Sequence, residues 1–127
     1  MKTNTAGRFD TSPAVLELLS HDPDIAVTSL VAAHRRASPA VLERLATTGS
    51  YEHWVRAANN YNTPPVTLSR LSQEPSVSVR EGVANNPSTP IDALERLLRD
   101  GDPRVVKATI FNPSLPRSTL AMWQLAR

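Results

Sequence analysis

Residues Val79–Asp100 read VREGVANNPSTPIDALERLLRD and contain the pattern that decides the fold. An Asn-Pro step at 86–87 and a Thr-Pro step at 89–90 both disfavour continuation of a helix. After the second proline, Leu94 and Leu97 lie three residues apart, which is typical of the buried face of a helix. The stretch therefore predicts the end of one short helix, a turn and the start of another.

The same features recur every 26 residues along the chain. Two apolar columns have this spacing: Leu16, Leu42, Leu68, Leu94 and Leu120, and then Leu19, Leu45, Leu71, Leu97 and Trp123. A Ser-Pro, Thr-Pro or Leu-Pro step precedes each pair, and where a hydroxyl is present it predicts an N-cap beside a proline in the first helical turn. A fixed period of this length predicts stacked two-helix units, because one such pair cannot bury its apolar face alone.

The period divides the chain into four full repeats and a terminal half-repeat. The predicted boundaries are 12–37, 38–62, 63–88, 89–114 and 115–127. Residues 1–11 lack the pattern, so we expect a flexible lead-in in which Phe9 covers the first repeat. In the half-repeat we expect Leu120 and Trp123 to pack on the preceding unit as a cap.

The stretch from Val79 to Asp100 resembles the leucine-rich repeat variant family, whose units read VR..VA.NP.TP...L..LA.D. Other repeats match more loosely, as in VTSLVAAHRRASPAVLERLA and VVKATIFNPSLPRSTL, so the resemblance extends over 12–127. It implies an all-α fold, a right-handed α-solenoid of about four and a half 26-residue repeats, with some short helices of 3₁₀ type. The family shares no catalytic residue, and likeness of fold does not assign a function.

Composition narrows the function classes. The 127 residues include no cysteine, which excludes disulfides, thiol catalysis and cysteine-ligated metal or iron–sulfur sites, and which fits a reducing cytoplasm. No apolar run reaches the roughly 20 residues that span a bilayer, so we expect no membrane contact. Only 5% of residues are aromatic, so the core should be aliphatic. The net charge of +2 is a weak signal for nucleic acid.

Two polar columns share the 26-residue period. Asn60, Asn86 and Asn112 are predicted to cap helix C-termini, because asparagine tolerates the left-handed conformation and its amide satisfies loose carbonyls. The other column is Arg44, Arg70 and Arg96. Its guanidinium groups either contact phosphates or an acidic partner, or they cover apolar edges with their stems. Neighbouring glutamates favour the second interpretation.

The candidate partner-binding residues lie on or beside the second helices: Tyr51, Trp54, Arg56, Arg80, Arg104 and Lys107. Tryptophan, tyrosine and arginine are the residue types enriched at binding hot spots. Trp54, Arg80 and Val106 share one position of the repeat. Alternatively, Trp54 fills space beside the small Ala57.

No residue pattern indicates catalysis, a cofactor or a metal. The histidines at 21, 34 and 53 lack metal-ligand spacing, and the Asp pairs 22/24 and 100/102 lie in turns, where Asp caps the next helix. We therefore expect a non-enzymatic scaffold that binds another protein or peptide along its repeats, as a monomer or with weak self-association. The alternative is a nucleic-acid-binding repeat protein that contacts phosphates through Arg and Lys of the second helices.

Overall fold

The computed structural model describes Arg8 and residues 11–127. The chain divides into two compact units, one ending at Pro64 and the other spanning Pro65–Arg127. The N-terminal unit contains α1 (Pro13–Leu19), α2 (Ile25–Ala33), α3 (Pro39–Thr48) and α4 (Tyr51–Ala58). The C-terminal unit contains α5 (Pro65–Leu71), α6 (Val77–Asn85), α7 (Ile91–Leu97), α8 (Pro103–Ile110) and α9 (Arg117–Ala126). The described residues form these helices and no strand, which confirms the all-α prediction.

The sequence predicted a flexible N-terminal lead-in and some short 3₁₀ helices. Most of the predicted lead-in 1–11, including Phe9, lies outside the described residues. The 3₁₀ segments implied by the family resemblance are absent from residues 11–127, where every helix is α-helical. Within the same residues, no helix is long and apolar enough to cross a membrane.

Serine caps the first helices where the predicted Ser-Pro step occurs. Ser12 Oγ accepts a hydrogen bond from the Val15 N–H (3.3 Å), and Ser38 Oγ accepts one from the Val41 N–H (3.2 Å). The same prediction is wrong for Thr89, because that residue lies one position earlier in the repeat. Its hydroxyl instead donates to the Val83 carbonyl (2.7 Å), and Pro90 becomes the N-cap of α7.

Aspartate caps two of the second helices, as predicted from the turn sequences. Asp24 Oδ1 accepts from the Ala26 N–H at the start of α2, and Asp102 Oδ1 accepts from the Arg104 N–H at the start of α8, both at 2.9 Å. In each turn the preceding aspartate accepts from the N–H of the capping one, also at 2.9 Å. These carboxylates satisfy backbone donors that a helix start leaves unpaired.

Each unit has an aliphatic core built from the predicted leucine columns. In the N-terminal unit the buried cluster consists of Leu16, Val27, Val31, Ala32, Val41 and Leu45. In the C-terminal unit Leu94, Leu98 and Leu115 form a buried cluster, and Leu120 and Trp123 of α9 pack against it, which confirms the predicted cap contact. Each large side chain removed from water contributes roughly 2 kcal/mol before the cost of ordering the chain.

The asparagine column ties the ends of successive second helices together within each unit. Asn60 Nδ2 donates to the carbonyls of Ala32 and His34, both at 2.9 Å. Asn112 Nδ2 makes the equivalent bonds in the other unit, to Ala84 (2.7 Å) and Asn86 (2.9 Å). These buried amides are structural, as predicted.

The expected left-handed backbone is not found at this column. Asn86 is extended, with φ −86° and ψ 119°, and no non-glycine residue among those described has a positive φ. The amide therefore caps carbonyls of the preceding repeat from an extended backbone, and a left-handed turn is not needed. His34 follows the same pattern: its Nδ1 accepts from the Arg36 N–H (3.0 Å) and its Nε2 faces the Arg8 carbonyl.

Candidate interaction surfaces

The arginines of the first helices hold neighbouring helices together. In the N-terminal unit Arg44 of α3 donates through Nη2 to Ser20 Oγ, just after α1. In the C-terminal unit Arg96 of α7 donates to Ser69 Oγ (3.0 Å) and Ser72 Oγ (3.1 Å), on and beside α5. Both contacts reach back about one repeat, so these guanidinium groups cover the edges of the stack.

Arg80, a predicted partner-binding residue, is engaged inside the C-terminal unit. Its Nε and Nη2 donate to the two carboxylate oxygens of Asp100, at 2.8 and 3.3 Å. Its Nη1 donates to the carbonyls of Glu74 (2.9 Å) and Pro75 (2.8 Å). Only 18% of the Arg80 side chain and 9% of the Asp100 side chain are exposed. Arg80 therefore joins two inter-helix turns and offers little of its charge to a ligand.

Three of the predicted residues lie on α4 of the N-terminal unit. The helix begins after Ser50, whose N–H donates to His53 Nδ1 (2.8 Å). Tyr51 is half exposed, and Arg56 is exposed and forms no ion pair with any described residue. Trp54 is partly buried, and its indole N–H is buried without a hydrogen-bond acceptor among the described residues.

Arg56 borders a shallow cavity at the ends of α2 and α4. The cavity measures about 410 Å³ and is lined by Ala33, Val55, Arg56, Asn59 and Asn60. Asn59 uses its Nδ2 to bond the Val55 carbonyl (2.9 Å), so the wall is polar and already hydrogen-bonded in part. This site can accept a polar or anionic group, but it lacks a buried apolar anchor.

The other predicted residues lie on α8 of the C-terminal unit. Arg104 and Lys107 are exposed and three residues apart, which places them on one face of the helix. Phe111, at the end of α8, continues that face and is 74% exposed. We call Arg104, Lys107 and Phe111 the α8 stripe. It combines two cations with an aromatic side chain, and none of these three side chains is buried in the core.

Charge pairing differs along the α8 stripe. Arg104 bonds Asp102 through Nη2 (3.1 Å), and this hydrogen bond lowers the pKa of the Asp102 carboxyl and raises the pKa of Arg104. Lys107 forms no ion pair with any described residue. Lys107 is therefore the cation of the stripe that remains available to a partner carboxylate.

Phe111 was not among the residues predicted from the sequence. A signal for it existed, because Phe111 falls in the same repeat position as Asn59 and Asn85, which are exposed polar residues. An aromatic residue in a solvent-facing column indicates a surface role. Conversely, Trp54 and Arg80 share a repeat position that is partly buried. Their residue types alone therefore suggested more exposure to a partner than the structure shows.

The described residues contain no group of three His, Asp or Glu side chains that could hold a metal ion. Their Asp carboxylates instead cap helices or pair with arginine.

Comparisons with curated proteins and with solved structures gave no match. The model of the leucine rich repeat variant family matches residues 78–102, which run from α6 to the turn before α8. The matched segment includes Arg80, Asp100 and Asp102, whose bonds connect the two turns described above. Residues 78–102 are thus similar to the leucine rich repeat variant family, as the resemblance of Val79–Asp100 predicted.

Proposed function

We propose that the protein is a non-enzymatic interaction module that binds another protein through the α8 stripe. The observation that carries this proposal is Phe111, a large aromatic side chain that is 74% exposed beside the unpaired Lys107. Aromatic side chains and arginines are enriched in protein interfaces, and the stripe offers one of each beside Lys107. A partner that suits the stripe presents an apolar pocket for Phe111 and a carboxylate for Lys107.

The charge distribution supports a protein partner over a nucleic acid. Phosphate binding relies on several cations that act together along the backbone. Of the four bases predicted for that role, Arg80 and Arg104 already bond aspartates within the C-terminal unit. Their charge is partly neutralised, which leaves Lys107 as the unpaired one of the three in that unit.

The arrangement of the repeats belongs to the same proposal. From the 26-residue period and the family resemblance we infer a right-handed α-solenoid, which presents equivalent positions of successive repeats in a row. Small-angle scattering of the full chain tests this arrangement, because an extended stack and a folded-back pair of units give different scattering profiles.

Affinity capture with cross-linking tests the binding function. The bait is the full chain, compared with the double variant Phe111→Ala/Lys107→Glu, and each lysate is divided into nuclease-treated and untreated halves. We expect the wild-type chain to retain specific proteins equally in both halves and the double variant to lose them. Leu18→Ala is the matched control, since Leu18 is 75% exposed on α1 and lies outside the stripe.

Two outcomes contradict the proposal. Loss of all bound material after nuclease treatment would favour the nucleic-acid alternative. Retention of the same proteins by the double variant would show that the α8 stripe is not the contact surface.

A further inference from the structure

Helix α9 carries an apolar face that the C-terminal unit leaves uncovered. None of its residues is fully buried, although Leu120 and Trp123 pack on the cluster of Leu94, Leu98 and Leu115. On the other side of the helix Met122 is 69% exposed and Leu125 is 82% exposed. Large apolar side chains three residues apart on a helix surface are suited to contact with another apolar surface.

A groove of about 440 Å³ runs beside this face. Its floor includes the buried Leu98 and the ring of Trp123, and its walls include Ser118, Met122 and Ala126 of α9. The spacing of these three wall residues, four apart, keeps them on one side of the helix. Small residues at both ends and a flexible methionine in the middle allow close approach of a second helix. The volume is sufficient for one or two large apolar side chains.

One arginine lines the groove, and two more lie next to residues that line it. Arg99 lines it, Arg117 begins α9, and the Arg127 guanidinium lies over the Trp123 ring at 4.8 Å from its centroid. Neither Arg99 nor Arg117 forms an ion pair within the described residues. The opposing charge among the lining residues is the single carboxylate of Glu95.

The start of α9 adds to the positive potential. Its N-cap is Pro116, which has no side-chain acceptor, and its first turn contains no acidic residue. The first-turn N–H groups therefore receive no carboxylate from the helix itself, and no acidic side chain of α9 opposes the positive end of the helix dipole. Ser118 and Thr119, whose side chains line the groove, lie in this turn.

The charges beside the groove favour one kind of occupant over another. A second copy of the chain would pair α9 with another α9, which contains Arg117, is followed by Arg127 and has no acidic side chain. That helix would bring no carboxylate to the arginines beside the groove. A partner helix with glutamate or aspartate beside its apolar residues would complement both the apolar groove and the basic rim.

We propose that the α9 groove binds an amphipathic helix of another protein, with apolar side chains against Leu98, Met122 and Trp123 and carboxylates beside Arg99 and Arg117. This inference presupposes the proposed interaction function but uses a surface other than the α8 stripe. The partner helix presents anchors at positions i, i+3 or i+4, and i+7.

A designed peptide tests the proposal with the full chain. The acidic peptide is about four helical turns long, with leucines at the anchor positions and glutamates beside them, and a matched peptide carries lysines in place of the glutamates. Fluorescence anisotropy of the labelled peptides measures the affinities. We expect the acidic peptide to bind at least about tenfold more tightly than the lysine peptide.

Substitutions in the groove and outside it test whether the acidic peptide binds there. Met122→Asp, at an exposed position, is expected to weaken the acidic peptide at least about tenfold. Arg99→Glu is expected to reduce or reverse the preference for the acidic peptide while the apolar face stays intact. Val66→Asp is the control, because Val66 is 78% exposed in the same unit and is not part of the groove. Circular dichroism establishes that each variant keeps its helix content.

Several results would overturn the inference. They are absence of acidic-peptide binding up to about 1 mM, equal binding by wild type and Met122→Asp, or equal affinity for the two peptides. Sedimentation showing a wild-type dimer that Met122→Asp dissociates would assign the groove to a second copy. If the groove fails while capture through Phe111 and Lys107 persists, the proposed function stands and only the groove assignment is lost.

Discussion

Arg80 and Asp100 form a bidentate ion pair that joins the turn before α6 to the turn before α8. The aspartate also accepts the Asp102 N–H (2.9 Å), while the arginine donates to carbonyls of the first turn. This ion pair thus connects two turns that are more than 20 residues apart in sequence. Because both side chains are largely shielded from water, the loss of one partner leaves the other charge poorly solvated.

Replacement of Arg80 by alanine should destabilise the fold by about 3 kcal/mol, since Asp100 and two turn carbonyls lose their donors. The matched control is Arg104→Ala, which removes an ion pair whose arginine side chain is 68% exposed. That change should leave the free energy of unfolding nearly unchanged. Urea denaturation of both variants measures the difference. Equal effects would contradict a structural role for Arg80.

Gly49 lies between α3 and α4, where the neighbouring atoms leave no space for a side chain. A Cβ added there would lie 2.3 Å from the Leu45 carbonyl oxygen and 2.5 Å from His53 Nδ1, so backbone or ring must shift. We expect Gly49→Ala to reduce the free energy of unfolding by about 1 to 3 kcal/mol. Gly101→Ala is the control, because nothing lies within 4 Å of its added Cβ, and it should be neutral or stabilise by less than about 1 kcal/mol. Thermal melts of both variants decide the comparison.

Sequence reasoning recovered the helices because the apolar columns depend on local periodicity. Leu16 and Leu94, 78 residues apart, are both fully buried, and the cap packing of Trp123 followed from its place in a leucine column. The predicted capping role of Thr89 was wrong because the hydroxyl of a residue before proline can donate to an earlier carbonyl instead of accepting from a later N–H. Its position in the repeat, one residue before that of Ser12, decides which carbonyl or N–H lies within reach.

The candidate site was harder to predict because side-chain pairing depends on distances between repeats. Arg80 and Arg104 look alike in sequence, since both lie near the start of a second helix. Arg80 meets a partner 20 residues away in a largely buried position, whereas Arg104 folds back on Asp102 in solvent. The exposure of Phe111 was missed although its repeat position, shared with Asn59 and Asn85, indicated a surface residue.

Asn112 should contribute more stability than Asn85. Asn112 Nδ2 donates to the carbonyl groups of Ala84 and Asn86, and its Oδ1 accepts the Ser114 N–H. Asn112→Ala removes all three bonds, although the Asn86 carbonyl keeps the Thr89 N–H, and should cost about 2 kcal/mol. Asn85 is exposed and bonds the Glu81 carbonyl of its own helix (3.1 Å), so Asn85→Ala should cost less than about 0.5 kcal/mol. Chemical denaturation measures both. A similar small loss for the two variants would contradict the structural role of the asparagine column.

His53 should make the stability of the N-terminal unit depend on pH. Its Nδ1 accepts the Ser50 N–H (2.8 Å), so the ring proton resides on Nε2 and faces Thr28 Oγ1 (2.6 Å). A second proton on Nδ1 would face the Ser50 N–H, donor against donor. Burial lowers the pKa of His53 below its ordinary value, while the neighbouring Glu52 opposes the shift.

The sign of the effect follows from this lowered pKa. Near and below pH 6.5 the unfolded chain binds a proton at His53 more readily than the folded chain does. The free energy of unfolding should therefore be highest above that pH and should fall as the pH drops from about 7.5 to 5.5. In His53→Gln this decrease should be smaller, because the titrating ring is gone. Urea titrations across this pH range measure the slopes, and equal slopes for wild type and His53→Gln would refute the role of the ring.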